Sequence, residues 1–265
     1  MTALRHYLLA LQFFTRIPVT GRLADWVGFS PAMLRASAAH FPGVGWLVGG
    51  SCALLSALLL HWLPAGAAAA WVVAVLGTLF TVLLTGAFHE DGLADVADGL
   101  GGSSERKRAL EIMKDSRVGA FGALALVLVV LCKVSLLALL GSVEPQAMLW
   151  GLFGAHVVSR GFPLLLVRNM VHVGDDHGSK SKPLAEQIDG AALAVAGLWV
   201  LAALGLLFWV GLGREAVVGL LFAALACGWM WRLFRRRLQG FTGDCLGATQ
   251  QVCEVAFYLG LALSL

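Results

Sequence analysis

Seven apolar stretches, at residues 40–62, 67–88, 118–140, 146–167, 191–211, 215–233 and 245–265, leave this chain little choice of environment. A helix needs about 20 residues to cross the roughly 30 Å hydrocarbon core of a bilayer, and each stretch is close to that length. The chain is 59% hydrophobic and 13% charged, where a soluble domain carries about 25% charged residues. The expectation is an all-α, polytopic membrane bundle of about seven transmembrane helices. Residues 4–17 are apolar but too short to span and stop before Pro18, which suits an N-terminal interfacial helix. The N-terminus lacks the form of a signal peptide. No repeat or second domain is visible, so residues 1–265 read as one transmembrane catalytic unit. Glycines such as Gly43, Gly45, Gly49 and Gly50 suit close helix packing in lipid. The scattered cysteines read as small buried hydrophobes.

Seven spans impose an alternation of sides. The loops 18–39, 89–117, 168–190 and 234–244 hold nearly all of the loop Lys and Arg, while Arg214 stands alone on the other side. The positive-inside rule makes the first side cytoplasmic, and every motif-like stretch falls on it. The expected partner at this level is the lipid bilayer, with no nucleic acid. The stretch 19–36 reads as a polar loop.

The apolar run ending at Phe88 passes directly into His89-Glu90-Asp91-Gly92-Leu93-Ala94-Asp95-Val96-Ala97-Asp98-Gly99. If the helix continues, Asp91, Asp95 and Asp98 share one face at i, i+4 and i+7, with Glu90 about 100° to the side. Stacked like charges repel unless something offsets them. A solvated helix end would mix signs, yet no Lys or Arg lies between Phe88 and Glu105. The offset comes from a hard divalent cation such as Mg²⁺ or from an Arg/Lys cluster, and the spacing favours the cation, with Glu90, Asp91, Asp95 and Asp98 as the expected ligands.

Basic residues accompany the acids. Residues 105–114 are expected to form a short surface helix with Leu110 and Met113 inward, followed by Lys114 and Arg117 as phosphate contacts. The run 106–108 reads as attraction to lipid headgroups. In the fourth span His156 and Arg160 share a face, and an arginine at that depth wants a polar cavity or a partner. Lys133 lies deep in the third span, and Glu254 is its expected partner, as an ion pair or as part of a site. The loop 172–188 carries Lys180 and Lys182 and reads either as a lid over an anionic ligand or as a plain connector. Thr242-Gly243-Asp244 opens the last helix. Its amides suit phosphate, and Asp244 equally suits an N-cap.

The ordered set Phe14-Thr15-Arg16-Ile17-Pro18-Val19, the acidic run with Asp98-Gly99-Leu100, Lys114-Asp115-Ser116-Arg117-Val118-Gly119, and Gly240-Phe241-Thr242-Gly243-Asp244 resembles the cobalamin synthases. These are the adenosylcobinamide-GDP ribazoletransferases of late cobamide assembly. The likeness runs along essentially the whole chain, and Phe241 stands where a second glycine is expected. It implies a Mg²⁺-dependent enzyme of the prokaryotic inner membrane. Such an enzyme joins adenosylcobinamide-GDP to α-ribazole, or to its 5′-phosphate, with release of GMP. On that reading Asp91, Asp95 and Asp244 are catalytic. The substrate contacts are Lys114, Arg117, Arg160, His156, Lys180, Lys182 and Thr242, and the ribazole 5′-hydroxyl attacks. Association into homo-oligomers or with other late-pathway enzymes is left open. A partial likeness to the CDP-alcohol phosphotransferases supplies the alternative. A cation transporter would place its acids at mid-membrane in repeated halves, and neither feature is present.

Overall fold

The computed structural model describes residues 2–174 and 188–265. Helices make up almost all of it, since in lipid each backbone N–H and C=O must be satisfied within its own segment. In chain order they are α1 (Thr2–Phe14), α2 (Gly21–Val27), α3 (Pro31–Ser37), α4 (Phe41–Trp62), α5 (Ala67–Thr85), α6 (Phe88–Gly102) and α7 (Arg106–Ile112). There follow α8 (Ala120–Val143), α9 (Pro145–Gly161), α10 (Pro163–Asn169), α11 (Gly190–Trp209), α12 (Gly213–Arg237) and α13 (Gly243–Ser264).

Among the described residues six segments are long and apolar enough to cross a membrane: Pro31–Trp62, Ala67–Thr85, Ala120–Val143, Pro145–Asn169, Gly190–Trp209 and Gly213–Arg237. They correspond to the first six expected spans. The seventh requires correction. Residues 243–264 do form a helix of spanning length, but α13 is not among the six, because polar side chains interrupt its apolar sequence. Thr249, Gln250, Gln251 and Glu254 are all buried. Helix α13 packs on α6, α8, α9 and α12 at the centre of the bundle. Protein rather than lipid covers its polar face. The lipid-facing surface comes instead from helices such as α5, α8 and α12, which expose Leu79 and Leu83, Leu124 and Leu128, and Leu221 and Leu225.

The stretch 19–36, expected as a loop, contains α2 and α3. Local chemistry explains α3: Ser30 is its N-cap, with Oγ accepting from Met33 N at 3.1 Å, and Pro31 occupies the first turn. Helix α1 is also more than an interfacial helix. It buries Leu9, Ala10, Leu11 and Phe14 and packs on α3 and α4. The surface helix expected at 105–114 appears as α7, with Met113 buried directly after it.

The second apolar run does not continue into the acidic stretch. Gly86 takes a left-handed conformation (φ 67°), Ala87 follows with φ 57°, and α6 begins afresh at Phe88. Glycine suits position 86 because its φ of 67° lies in the left-handed region that side chains rarely adopt. Among the described residues the only β pairing is a parallel bridge between His172 and Phe241, with Val173 N donating to Phe241 O at 2.9 Å. It ties the segment after α10 to the turn that leads into α13.

Candidate active site

The acidic residues are helical, as expected, and α6 presses them against the first turn of α13. At the crossing point the backbones nearly touch: a Cβ on Gly92 would be 2.8 Å from Asp244 O. That is why a glycine divides the acidic run. Asp91 and Asp95 lie on α6 beside this contact, and Asp244 faces them from α13.

Burial raises the Asp95 carboxyl to about 7, helped by the negative charges of Asp244, Asp91 and Asp98. Burial likewise raises Asp244 to about 6, with Asp91 adding to the shift and the Thr242 hydroxyl opposing it. That hydroxyl donates to Asp244 Oδ2 at 3.2 Å. Burial also raises Glu90, whose Oε2 is buried without a partner.

Asp98 is placed differently. Its two oxygens accept from Gly119 N at 2.7 Å and Gly122 N at 2.8 Å. A carboxylate at a helix N-terminus is favourable, so Asp98 anchors the start of α8 to α6. Among the described residues no three His, Cys, Asp or Glu side chains are gathered closely enough to hold an ion as they stand. The donor set nevertheless fits a hard divalent cation. It consists of oxygen alone, and its carboxyls raise one another's pKa.

The comparison with known proteins decides the family. Residues 6–262 match the family model described as cobalamin-5-phosphate synthase. The chain belongs to that family. A relative from Albidiferax ferrireducens is 62% identical, with 99% of both chains covered. One from Polaromonas naphthalenivorans is 61% identical over the same shares. One from Vibrio cholerae is 42% identical over 96% of this chain and 91% of its own. All three are named adenosylcobinamide-GDP ribazoletransferase. No solved structure matches.

In this member of the family the expected basic contacts separate into groups. Arg160 is buried, with Nη1 bonded to His156 O at 2.8 Å and lying 3.1 Å from His156 Nδ1. Arg160 Nε and His156 Nε2 are buried without a hydrogen-bond partner among the described residues. Arg117 lies in the open, its Nε donating to Asp115 Oδ1 at 2.9 Å. Lys114 is exposed just after α7. Lys180 and Lys182 fall outside the described residues. The basic run is more than a lipid attractor: Arg106 Nε donates to Leu238 O at 2.6 Å. From α12, Arg237 Nη2 donates to Ser103 O at 2.6 Å and Leu100 O at 3.0 Å, tying the ends of α6 and α12 together.

A connected polar layer beneath the acids was only partly readable from sequence. Lys133 Nζ does pair with Glu254, at 2.6 Å from Oε1, and both are buried. Glu254 Oε1 also accepts from Tyr258 at 3.2 Å, and Oε2 accepts from Gln250 at 2.7 Å. Gln250 donates to Ser159 Oγ at 2.9 Å as well. Gln251 then bonds Gln250 Oε1 at 3.0 Å and Glu90 Oε1 at 3.1 Å. The layer therefore runs from the buried ion pair to a carboxylate adjoining Asp91. Beyond the expected Lys133–Glu254 pair, the i, i+4 spacing of Gln250 and Glu254 was its visible trace in the sequence.

Phe13, Phe14, Phe41 and Phe88 form a second unforeseen feature. They line a cleft with His89, Arg160, Pro163 and the first turns of α13. Phe14 stacks on His89 with ring centroids 5.9 Å apart and 13° between planes. Burial, followed by the charge of Arg160, holds His89 well below its ordinary pKa. It is therefore a neutral ring in an apolar wall. Phe241, the departure from the family pattern, is fully buried, and its ring lies edge-on to His172 at 5.5 Å.

Proposed function

We propose that this chain joins adenosylcobinamide-GDP to α-ribazole 5′-phosphate or α-ribazole, giving adenosylcobalamin 5′-phosphate or adenosylcobalamin and releasing GMP. The observation that carries this reading is the full-length kinship with ribazoletransferases. The seam of carboxylates suits a diphosphate substrate. The CDP-alcohol phosphotransferase reading is not favoured, since every relative named above is a ribazoletransferase.

The product in the family's description keeps its 5-phosphate. The 5′-oxygen of that acceptor is already esterified, so the 5′-hydroxyl expected above cannot be the nucleophile. Another ribose hydroxyl attacks the phosphorus nearer the corrinoid. The bond from that phosphorus to the bridging oxygen breaks, and GMP leaves with the bridging oxygen.

Asp91, Asp95 and Asp244, with Glu90 in support, would hold Mg²⁺, which when bound would offset phosphate charge and polarise the attacked group. Asp98, occupied at the start of α8, contributes field rather than a ligand atom. The proton of the attacking hydroxyl goes to whichever of the two half-buried carboxylates, Asp95 or Asp244, stays off the cation, since a carboxyl raised by burial is matched to take a proton near neutral pH. Gly92 sets the separation of the two helices and so orients the acids on the diphosphate. Lys114 and Arg117 are the proposed contacts for the outer phosphate. The basic bias of one side supports a site on the cytoplasmic face of the inner membrane.

The purified full-length chain in nanodiscs, given adenosylcobinamide-GDP, α-ribazole 5′-phosphate and Mg²⁺, is expected to release GMP in step with the corrinoid product. Release of CMP from a CDP-alcohol donor, with no GMP from the corrinoid, would replace the reading with its alternative.

A further inference from the structure

Helix α12 ends in a cluster of arginines that neither the carboxylate seam nor the buried polar layer uses. From Ala216 to Trp231 the helix is uncharged, about 24 Å at 1.5 Å per residue, and so fills most of a hydrocarbon core about 30 Å thick. Arg232 therefore stands at the membrane boundary, with Arg235, Arg236 and Arg237 in the headgroup layer. Trp229, Arg232, Leu233, Arg236 and Arg237 recur at i, i+3, i+4, i+7 and i+8, which is one helical face, and together they line a cavity of about 340 Å³. Leu221 and Leu225 carry the same face deeper, both exposed toward lipid. Trp229 is exposed at the depth where an indole lies between acyl chains and headgroups. Arg237 is spent on Leu100 O and Ser103 O, which fixes one wall of the cavity. Arg232 and Arg236 are exposed, and among the described residues neither meets a carboxylate. The run 106–108, expected to attract headgroups, is by contrast partly committed, Arg106 to Leu238 O and Arg108 to Glu111 at 3.1 Å.

We propose that this face of α12 is a binding site for an anionic phospholipid. The headgroup phosphate lies between the guanidiniums of Arg232 and Arg236, the glycerol lies against Trp229, and an acyl chain runs along Leu225 and Leu221. One continuous surface passes from cationic to apolar within two helical turns, and a lipid matches it along its whole length where a free phosphate would match one end. Arginine presents a planar fork of donors that suits a phosphodiester. A zwitterionic headgroup brings an ammonium of its own against the arginines, so a lipid with net negative charge is preferred. Topology asks only that basic residues stand at this end of the helix. Arg235 meets that need without lining the cavity, and so separates a built site from bulk charge. Arg237 belongs both to the cavity and to the tie with the end of α6, so an occupied site braces the helix that carries Asp91 and Asp95. The assignment is independent of the transfer reaction.

The test is native mass spectrometry of the full-length chain in a neutral detergent, titrated with phosphatidylglycerol or with phosphatidylcholine of the same acyl chains. The wild type is expected to bind the first phosphatidylglycerol about tenfold more tightly than phosphatidylcholine. Arg232→Gln and Arg236→Gln should each weaken phosphatidylglycerol about fivefold, and the two together about twenty-fivefold. The pair Arg232→Lys and Arg236→Lys should recover part of that loss, and it keeps the test open should a glutamine variant fail to fold. Arg235→Gln removes the same charge from the same helix end and should leave the affinity within about twofold. Melting temperatures in phosphatidylcholine nanodiscs, expected to match the wild type, report that the variants are folded. Equal affinity of the wild type for the two lipids would overturn the proposal. So would a loss in Arg235→Gln equal to that in Arg232→Gln, which would leave only diffuse surface charge. Displacement of the lipid by millimolar orthophosphate would make this a free-anion site, and a dimer that excludes lipid would give the face to a second copy; either result overturns the assignment.

Discussion

Asp91 and Asp98 stand seven residues apart on α6, yet their surroundings ask different things of a carboxylate. Asp98 is buried and receives two backbone N–H groups at the head of α8. Asp98→Ala should therefore cost about 2 kcal/mol or more of stability, read as a lowered melting temperature. Asp91 is exposed beside other acids. Asp91→Asn should lower turnover at least a hundredfold, with the melting temperature held or raised, because a repelling charge is gone. Turnover within a few fold of wild type, in folded Asp91→Asn protein, would remove Asp91 from the site. Asp95 adds a pH dependence. Its carboxyl rises from 3.8 to about 7, so the folded chain holds a proton that the unfolded chain has lost. Stability contributed at this position is present below about pH 4 and declines as pH rises toward 7. A divalent cation would offset that decline. Mg²⁺ should then raise the melting temperature more at pH 8 than at pH 5.5, and an equal increment at both would count against cation binding at these acids.

At the scale of elements, α13 shows why a helix of spanning length need not be a greasy one. Its buried glutamate is acceptable only because Lys133, Tyr258 and Gln250 satisfy it. Breaking such a pair from one side leaves an uncompensated charge, at a cost of about 3–5 kcal/mol, whereas removing both partners can be nearly neutral. Glu254→Gln alone should thus be severely destabilising, and Lys133→Met with Glu254→Gln should recover most of the loss, as a double-mutant cycle followed by thermal melts would show. If the layer also steadies Glu90 through Gln250 and Gln251, the double variant will fold yet turn over more slowly. The break between α5 and α6 belongs to this scale too. The apolar run reads as continuous to Phe88, but Gly86 caps α5 in a left-handed conformation, and Arg16 N, from the segment after α1, donates to Leu84 O beside it.

Over the whole molecule, the basic residues and the acidic seam share one face, and the connection at Gly66 lies at the opposite end of α5. A cysteine at exposed Ser104 should react with an impermeant maleimide only from the cytoplasmic side, and one at exposed Gly66 only from the other. Of the native cysteines Cys52, Cys227, Cys245 and Cys253 are buried, whereas Cys132 is exposed on α8 and is replaced by serine in the background used for labelling. Labelling of both new positions from one side would undo the topology.

Hydropathy and charge period were enough to determine six membrane-crossing segments, their alternation of sides and a helix carrying Asp91, Asp95 and Asp98. Each depends on what a segment can do in lipid or on one helical face, and such properties are written locally. Tertiary structure alone decided that α13 is enclosed, that Asp98 serves α8, and that Gln250, Gln251 and Ser159 link Lys133–Glu254 to Glu90. It also decided that phenylalanines from three distant segments meet beside Arg160. These facts depend on which helices touch, and a buried polar group or an aromatic wall acquires its meaning only from the neighbour that satisfies it.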